Sequence, residues 1–489
     1  MTGTGRLTVV ILGEGVAGWA AAAALAGALP ASRYAVSLVP TGMPDDSLGP
    51  FGAAEATLPS IREFHARLGL DEEALVRHGR AAFALGVAYS GWSSVAPTYF
   101  LPFGDTGAAL ETVPFHQLAG RLRAAGAEVR FSDFSVAALA AQMGRFARPL
   151  DDPASVLSTY SYGLHLPRGG YRDSLRDLAL ARGVRPHESP FAAAQLSERG
   201  DLAGLRLADG ETVPGELFID ASGPSGRLIE TALTTGFESW RAWLPCDRAV
   251  ESASSTQIPP APYSHIEARA SGWRRVVPFQ GGVGEALVSC SDFADAEGTA
   301  FESGRRKRAW NRNCIALGAA AATVEPLQST SLHLLQTALA RLLRLFPDSL
   351  DHAAEAAEYN RQTGEELDRL RDFLILRYKL NGRLGEPFWD AVRAMEVPEP
   401  LARKIALFES RGRVPLLDGD MFEQEEWAAL LDAQGVRPRR YDPRADALPP
   451  ERIRAHFTAM RTIMLKAAAA LPLHGDYLAR EKRVRERVA

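Results

Sequence analysis

The opening forty residues constrain this chain more than any other segment. Leu7–Leu12 (LTVVIL) is a short apolar run rich in β-branched residues. Gly13-Glu-Gly15-Val16-Ala17-Gly18 follows, then an alanine-rich stretch to about Leu29, then a second strand-like run, Tyr34–Val39. Strand, glycine turn, helix and strand in about 35 residues make a βαβ unit with parallel strands and a right-handed crossover. In a GxGxxG fingerprint Gly13 permits the tight turn and Gly15 lets a pyrophosphate approach the backbone. Gly18 brings the helix against the strand, and the first N–H groups of the helix face the phosphates. The alternative is a plain glycine turn.

Residues 15–32 carry no charge, so a membrane span must be weighed. Gly15, Gly18, Gly27 and Pro30 interrupt the run, and no basic segment precedes a cleavage site. A buried helix is the expectation. A net charge of −4 argues against nucleic acid as a partner. Cys246, Cys290 and Cys314 are widely spaced and odd in number, which suits a reducing cytoplasm. No histidine spacing spells a metal site. Only five of the 55 basic residues are lysine, and the first is Lys307. Chemistry that needs a lysine from the first 306 residues is therefore excluded.

Further on, helical segments are expected at 60–68, 72–78, 111–125 and 171–182, and strands at 83–92, 126–131 and 263–293. Residues 190–220 alternate like antiparallel strands and end in Asp220-Ala-Ser-Gly223. That carboxylate reads as a second dinucleotide-type contact or as the builder of its own turn. Glu325-Pro-Leu-Gln328-Ser-Thr330 precedes a helix whose apolar face is Leu332, Leu335, Leu339, Leu342, Leu343 and Phe346. Ser329, Thr330 and Ser331 can cap that helix, and its N–H groups can hold an anion. Helical patterns recur at 352–380, 386–395, 399–409, 424–434 and 450–470. Residues 438–450 read as a surface linker, and the tail from Arg480 is charged. The fold class is α/β: a Rossmann-like βαβ module with mixed sheets, leading into a mostly helical C-terminal region.

These signals, in this order, resemble the flavin-dependent tryptophan halogenase family. Gly13-Glu-Gly-Val-Ala-Gly-Trp19 is similar to its GxGxAGW opening, and Glu55-Ala-Thr-Leu-Pro59 to its GEATxP segment. Phe83-Ala-Leu-Gly86 with Trp92 resembles its FKLG…W strand. Leu217–Gly223 resembles its DASG turn, and Gly272-Trp273 with Val277-Pro278 its GWxWxIP segment. Asn313–Gly318 through Thr330 and His333 resembles its AIG…EPLEST…H block. Tyr359-Asn360, Arg371-Asp-Phe373, Tyr378 and Phe388-Trp389 resemble its helical region. The coverage runs from about residue 7 to 390.

The resemblance implies a box-like FAD module of the aromatic-hydroxylase type over 1–330, with substrate-facing segments near 84–170 and 225–300, and a helical pyramid over 331–489. It implies reduced FAD from a separate flavin reductase, O2, and oxidation of chloride or bromide to hypohalous acid. A tunnel leads to a lysine that halogenates an electron-rich aromatic ring, assisted by a glutamate. Gly13, Gly15, Val16, Ala17, Gly18, Ala54, Asp220, Ala319 and Leu332 fall at cofactor positions, and Thr330 and Ser331 at the halide position.

Six departures stand at functional positions. Ala84 falls where the family has its lysine, Gln328 where it has the assisting glutamate, and Arg275 where it has the second tryptophan. Pro40 falls at the ribose acid, and Ala54 and Ser331 replace glycines. A methyl group can neither donate a hydrogen bond nor carry an electrophilic halogen, and a glutamine cannot accept a proton as a base. Two readings follow. One is an FAD-dependent oxidoreductase or monooxygenase acting on an indole-like or peptide aromatic. The other is a degenerate, non-catalytic homologue that binds a ligand or partners a paralogue. The tryptophans and His116, His165 and His333 are available to a pocket, with core packing the ordinary role of each. A homodimer is open.

Overall fold

The computed structural model describes residues 6–349 and 351–483. Two compact units emerge, each assembled from three stretches of chain. The first takes residues up to Gly79, Leu166–Glu251 and Glu297–Leu367; the second takes Arg80–His165, Ser252–Ala296 and the chain from Asp368 onward.

The first unit is built on β1 (Leu7–Leu12), α1 (Val16–Ala28) and β2 (Tyr34–Val39), the expected βαβ. β1 pairs in parallel with β2, from Leu7 opposite Tyr34 to Leu12 opposite Val39. On its other side β1 pairs in parallel with strand Leu217–Asp220, which in turn pairs with Cys314–Ala316. Trp310–Asn311 and Arg185–Pro186 close the two edges of this six-stranded sheet. The central strands are buried on both faces, which is why their sequence reads as continuous apolar runs. An antiparallel sheet of Phe191–Leu196, Leu202–Leu207 and Thr212–Pro214 supplies Leu202, Leu205, Leu207 and Val213 to the core around Val10, Leu12 and Phe218.

α1 is buried from Val16 to Leu25. A helix apolar all round is either a membrane span or a core helix. At 13 residues α1 is too short to span a bilayer, which needs about 20. Among the described residues no helix is long and apolar enough to cross a membrane.

In the second unit, Gly282–Ser289, Gly272–Phe279 and Ser264–Arg269 form an antiparallel meander. Ser264–Arg269 continues in parallel onto Gly86–Ser90, which pairs with Thr98–Pro102. The strand expected over 83–92 is broken in two, Ala82–Ala84 and Gly86–Ser90. The break lies at Leu85, just before Gly86, whose φ of 156° carries it so close to Leu101 that a methyl there would lie 2.3 Å from the carbonyl oxygen. The strand expected over 126–131 is absent. Gly126 ends helix Phe115–Ala124 in a left-handed conformation, and the chain goes directly into a 3-10 turn at Phe131–Phe134. A run of β-formers stays out of a sheet when no strand edge is there to pair with it.

Helices Pro387–Ala394, Glu399–Arg411, Gln424–Ala433 and Pro450–Ala470 follow the expected periodicity, and a further helix, His474–Arg483, was not expected. The linker read at 438–450 contains a short 3-10 turn at Pro443–Ala447. The charged tail read from Arg480 is helical to Arg483, and the rest lies outside the described residues. Trp92, Trp240, Trp273, Trp310, Trp389 and Trp427 are all buried. In the second unit, Trp92 meets Trp389 edge to face at 5.1 Å, and Trp273 Nε1 donates to Tyr378 Oη at 2.9 Å. Core packing is therefore the role of these six.

In the first unit, the buried Arg341 guanidinium donates to Thr363 Oγ1 at 2.9 Å and to Glu366 Oε2 at 2.8 Å. Removing one partner of a buried pair leaves an uncompensated charge. Glu366→Ala is expected to lose about 3 kcal/mol of stability, read as a lowered denaturant midpoint, and Glu366→Gln to lose less.

Candidate functional site

The turn after β1 leaves no room for side chains. A methyl on Gly13 would lie 2.4 Å from the Ala221 carbonyl oxygen, and one on Gly18 would lie 1.8 Å from the Gly13 oxygen. These two glycines let β1, α1 and the Asp220–Gly223 turn meet backbone to backbone. Asp220 holds that turn. Its Oδ1 accepts from Ser222 N–H at 3.0 Å and Ser222 Oγ at 2.6 Å, and its Oδ2 from Leu228 and Ile229 N–H at 2.7 and 2.8 Å. All four donors come from the segment that follows the strand. Asp220 thus builds the turn whose Ala221 backs Gly13.

Gly15 faces a different neighbour. A methyl there would lie 2.1 Å from Asp45 Oδ1. Asp45 Oδ2 accepts from Val16 N–H at 3.2 Å, and Ser47 Oγ accepts from Ala17 N–H at 3.2 Å. Asp45 Oδ1 in turn accepts from Ser47 Oγ at 2.7 Å and Ser47 N–H at 3.1 Å. The free N–H groups and positive end of α1 therefore already hold an anion, and that anion belongs to the chain. The carboxylate stands in for a phosphate: same charge sign, same acceptor oxygens, same donors. The cradle fits a pyrophosphate once the carboxylate moves aside.

Two further contacts position this loop. Arg168 is buried and donates to the carbonyls of Asp45 and Gly49, both at 3.2 Å, and to Glu55 Oε1 at 2.7 Å. Glu14 accepts from Thr41 N–H at 2.6 Å, Thr41 Oγ1 at 2.9 Å and Gly42 N–H at 3.1 Å. Glu14 thus anchors the end of β2, where an acid is expected and Pro40 stands. Neither Arg168 nor the Asp45–Ser47 plug was legible beforehand. The acid pair in the turn-rich stretch 40–59 was the only signal.

The second group gathers around the helix Ser331–Arg344. Ala319 N–H donates to the Ser47 carbonyl at 2.8 Å, so Ala319 joins the cradle. Leu48, Gly318, Ala319 and Ser331 line one small cavity of about 40 Å³, room for a water molecule and not for a ring. Gln328, Thr330 and Leu332 are buried, as is Ala54 in its own short strand.

The expected side-chain cap of this helix is absent. Thr330 has φ −96° and ψ −9°, which is helical, whereas a capping side chain reaches its N–H groups from an extended residue. Thr330 Oγ1 is left buried with no hydrogen-bond partner. An unpartnered hydroxyl beside the open N–H groups of a helix is a donor set suited to a small anion. Ser329, just before it, holds a left-handed φ of 60° that a non-glycine residue rarely adopts.

In the second unit, Ala84 is only 1 % exposed and pairs with Gly163. Its neighbour Phe83 stacks on Phe146 at 4.3 Å and meets Tyr162 edge-on at 5.4 Å. Arg275 is buried. His165 is buried opposite Ala82, with Nδ1–H on the Pro278 carbonyl at 2.7 Å and Nε2 without a partner. Burial holds its pKa down at about 3, so the ring is neutral. His116 Nε2–H donates to Gly412 O at 3.0 Å in the same unit, and burial lowers its pKa too. In the first unit His333 Nδ1 shares a 2.8 Å hydrogen bond with Ser60 Oγ.

A family model described as tryptophan halogenase matches residues 8–450. The tryptophan 6-halogenase SttH of Streptomyces toxytricini is 27% identical, with 96% of this chain and 97% of that protein covered. Among solved structures, BrvH, a flavin-dependent halogenase from Brevundimonas sp. BAL3, is 35% identical with a TM-score of 0.92 over 98% of this chain and 99% of that one. Xcc4156, a flavin-dependent halogenase from Xanthomonas campestris, is 33% identical with a TM-score of 0.90 over 97% and 98%.

Two expectations follow from the cradle. Burial, then the neighbouring Asp45 charge, raises the Asp46 pKa from 3.8 to about 6. The folded protein then binds this proton more tightly than the unfolded chain. The resulting stability is present below pH 4 and is lost as pH rises through about 6. Asp46→Asn should flatten that part of the stability–pH profile. Asp45→Asn weakens the internal anion and should tighten FAD binding about tenfold, the equivalent of one charge-assisted hydrogen bond. Flavin fluorescence quenching reads it.

Proposed function

The chain belongs to the tryptophan halogenase family, and from that premise we propose that it is a reduced-FAD- and O2-dependent oxidoreductase that oxygenates an electron-rich aromatic instead of halogenating it. The family's cofactor is reduced FAD delivered by a separate flavin reductase. The observation that carries the reading is the intact cradle: Gly13, Gly15 and Gly18 leave no room for side chains, Val16 N–H is held by the Asp45 carboxylate and Ala17 N–H by the Ser47 hydroxyl.

Gly15, Val16 and Ala17 would hold the pyrophosphate, with Gly13, Gly18 and the Asp220 turn keeping the approach open. Ala54, Ala319 and Leu332 are assigned to the rest of the cofactor by the resemblance, and residues 1–330 to its module. When bound, reduced FAD supplies the electrons that activate O2. Thr330 Oγ1 and the first N–H groups of its helix form an anion subsite, which fits halide in a halogenating relative. The group that would deliver halogen is missing: no lysine precedes Lys307, and Ala84 presents a methyl. Gln328 offers an amide, which holds a substrate group by hydrogen bonds but takes up no proton. The net reaction puts one oxygen atom of O2 on the ring and releases the other as water, with both electrons from the reductase.

A second reading is supported by Asp45 and Glu14. Asp45 satisfies Val16 N–H, which a dinucleotide would use, and Glu14 ties down the end of β2 where its ribose would lie, as in a homologue that has given up its cofactor for a binding or partner role.

Reduced FAD, O2, bromide and a panel of indoles and phenols test the first reading, with products weighed by mass spectrometry. A gain of one oxygen, independent of bromide, is expected. Bromination at rates typical of the family overturns it. Absence of FAD binding at high micromolar concentration moves the protein to the second reading. The double variant Ala84→Lys, Gln328→Glu is expected to gain bromination at least tenfold over the parent, since it restores both the ammonium and the base.

A further inference from the structure

A cavity of about 490 Å³ opens at the edge of the first unit's main sheet, within the size range of small-ligand pockets. It lies away from the cradle. Thr8, which lines it, is five residues before Gly13 along β1, a separation of about 17 Å at strand rise. The sheet is notched here. β2 pairs with β1 from Tyr34 to Val39, but the edge strand Arg185–Pro186 covers only Ser37 and Leu38.

The lining is cationic. Arg6, Arg182, Arg185 and His187 face the notch, and no aspartate or glutamate does. Arg6 Nη2 is held on the Tyr34 carbonyl at 3.2 Å, and Arg182 Nη1 on the Ala23 carbonyl at 2.8 Å. Carbonyls orient these guanidinium groups without neutralising them. Arg185 is exposed, with no side-chain partner among the described residues. Glu216, beside this part of β1, is engaged by Thr8 N–H at 2.7 Å.

A second observation is independent of the charges. Ser37, also in the lining, is 9% exposed and its Oγ has no hydrogen-bond partner. Buried hydroxyls are nearly always partnered. A serine side chain reaches a new partner by turning one torsion. Leu29 and Val213 complete the wall with apolar surface.

We propose that this notch is a binding site for a small organic oxyanion, a phosphate monoester or a carboxylate, whose head is taken by Arg185, Arg6 and Ser37 and whose apolar body lies on Leu29 and Val213. The site is separate from the flavin cradle, and nothing in the proposal depends on the reaction the protein carries out.

The test is calorimetric titration of the full-length protein with inorganic phosphate, phenyl phosphate and benzoate. Saturable binding is expected, tighter for phenyl phosphate than for phosphate because of the apolar body. The comparison of phenyl phosphate with benzoate tells which head the site prefers. Arg185→Gln, at an exposed position, should weaken binding about tenfold, the loss of one charge-assisted hydrogen bond. Ser37→Ala should weaken it less. Asp45→Ala, which opens the cradle and not the notch, should leave the Arg185-dependent part of the binding unchanged. Non-saturable heats matched by chloride, or affinity that survives Arg185→Gln, would overturn the assignment.

Discussion

The first turn of α1 is the constraint on which this site depends. Four N–H groups at a helix start have no partner within the helix and need one from elsewhere. Gly13, Gly15 and Gly18 remove every side chain that could fill that space, so the partner must come from outside the turn. Here Asp45 and Ser47 supply it. The loop that carries them is tied in turn to Arg168, and Arg168 to Glu55. A helix terminus, an acidic turn and a buried ion pair thereby become one electrostatic unit, in which the chain's own side chains hold the donors a phosphate would need.

That competition gives the departures from the family pattern a common sense. A phosphate brings more negative charge than a carboxylate and takes the cradle by outbidding Asp45 at the same N–H groups. Asp46, packed against Gly223, resists ionisation because it is buried and, secondarily, because the Asp45 charge stands beside it. Glu14 makes the end of β2 an acceptor-bearing anchor in a chain where Pro40 cannot serve. In the proposed site, flavin affinity depends on the Asp45 loop held by Arg168 as well as on the glycine fingerprint.

Much of the fold was legible from the residues alone. β1 and β2 have the expected bounds, and the helices from Ser331 onward follow the apolar stripes. Both signals are local: a period of two or of 3.6 survives whatever packs against it. The misses share the opposite cause. Residues 126–131 have strand chemistry but no neighbouring edge, and 83–92 is cut at Leu85, beside the close approach of Gly86 and Leu101. Thr330 looks like a cap in sequence, yet its backbone is already helical. In each case the deciding partner lies elsewhere in the chain.

The same division runs through the site. By itself the sequence determined the βαβ unit, the glycine cradle and the family, and it excluded lysine chemistry from the first 306 residues. Those are statements about residue type and spacing. Only the tertiary structure decided that Asp45 reaches back to α1, that Asp220 serves its own turn, and that Thr330 Oγ1, His165 Nε2 and Ser37 Oγ are left without partners. Hydrogen-bond satisfaction is a property of three-dimensional neighbours, and no one-dimensional pattern encodes which donor goes unmet.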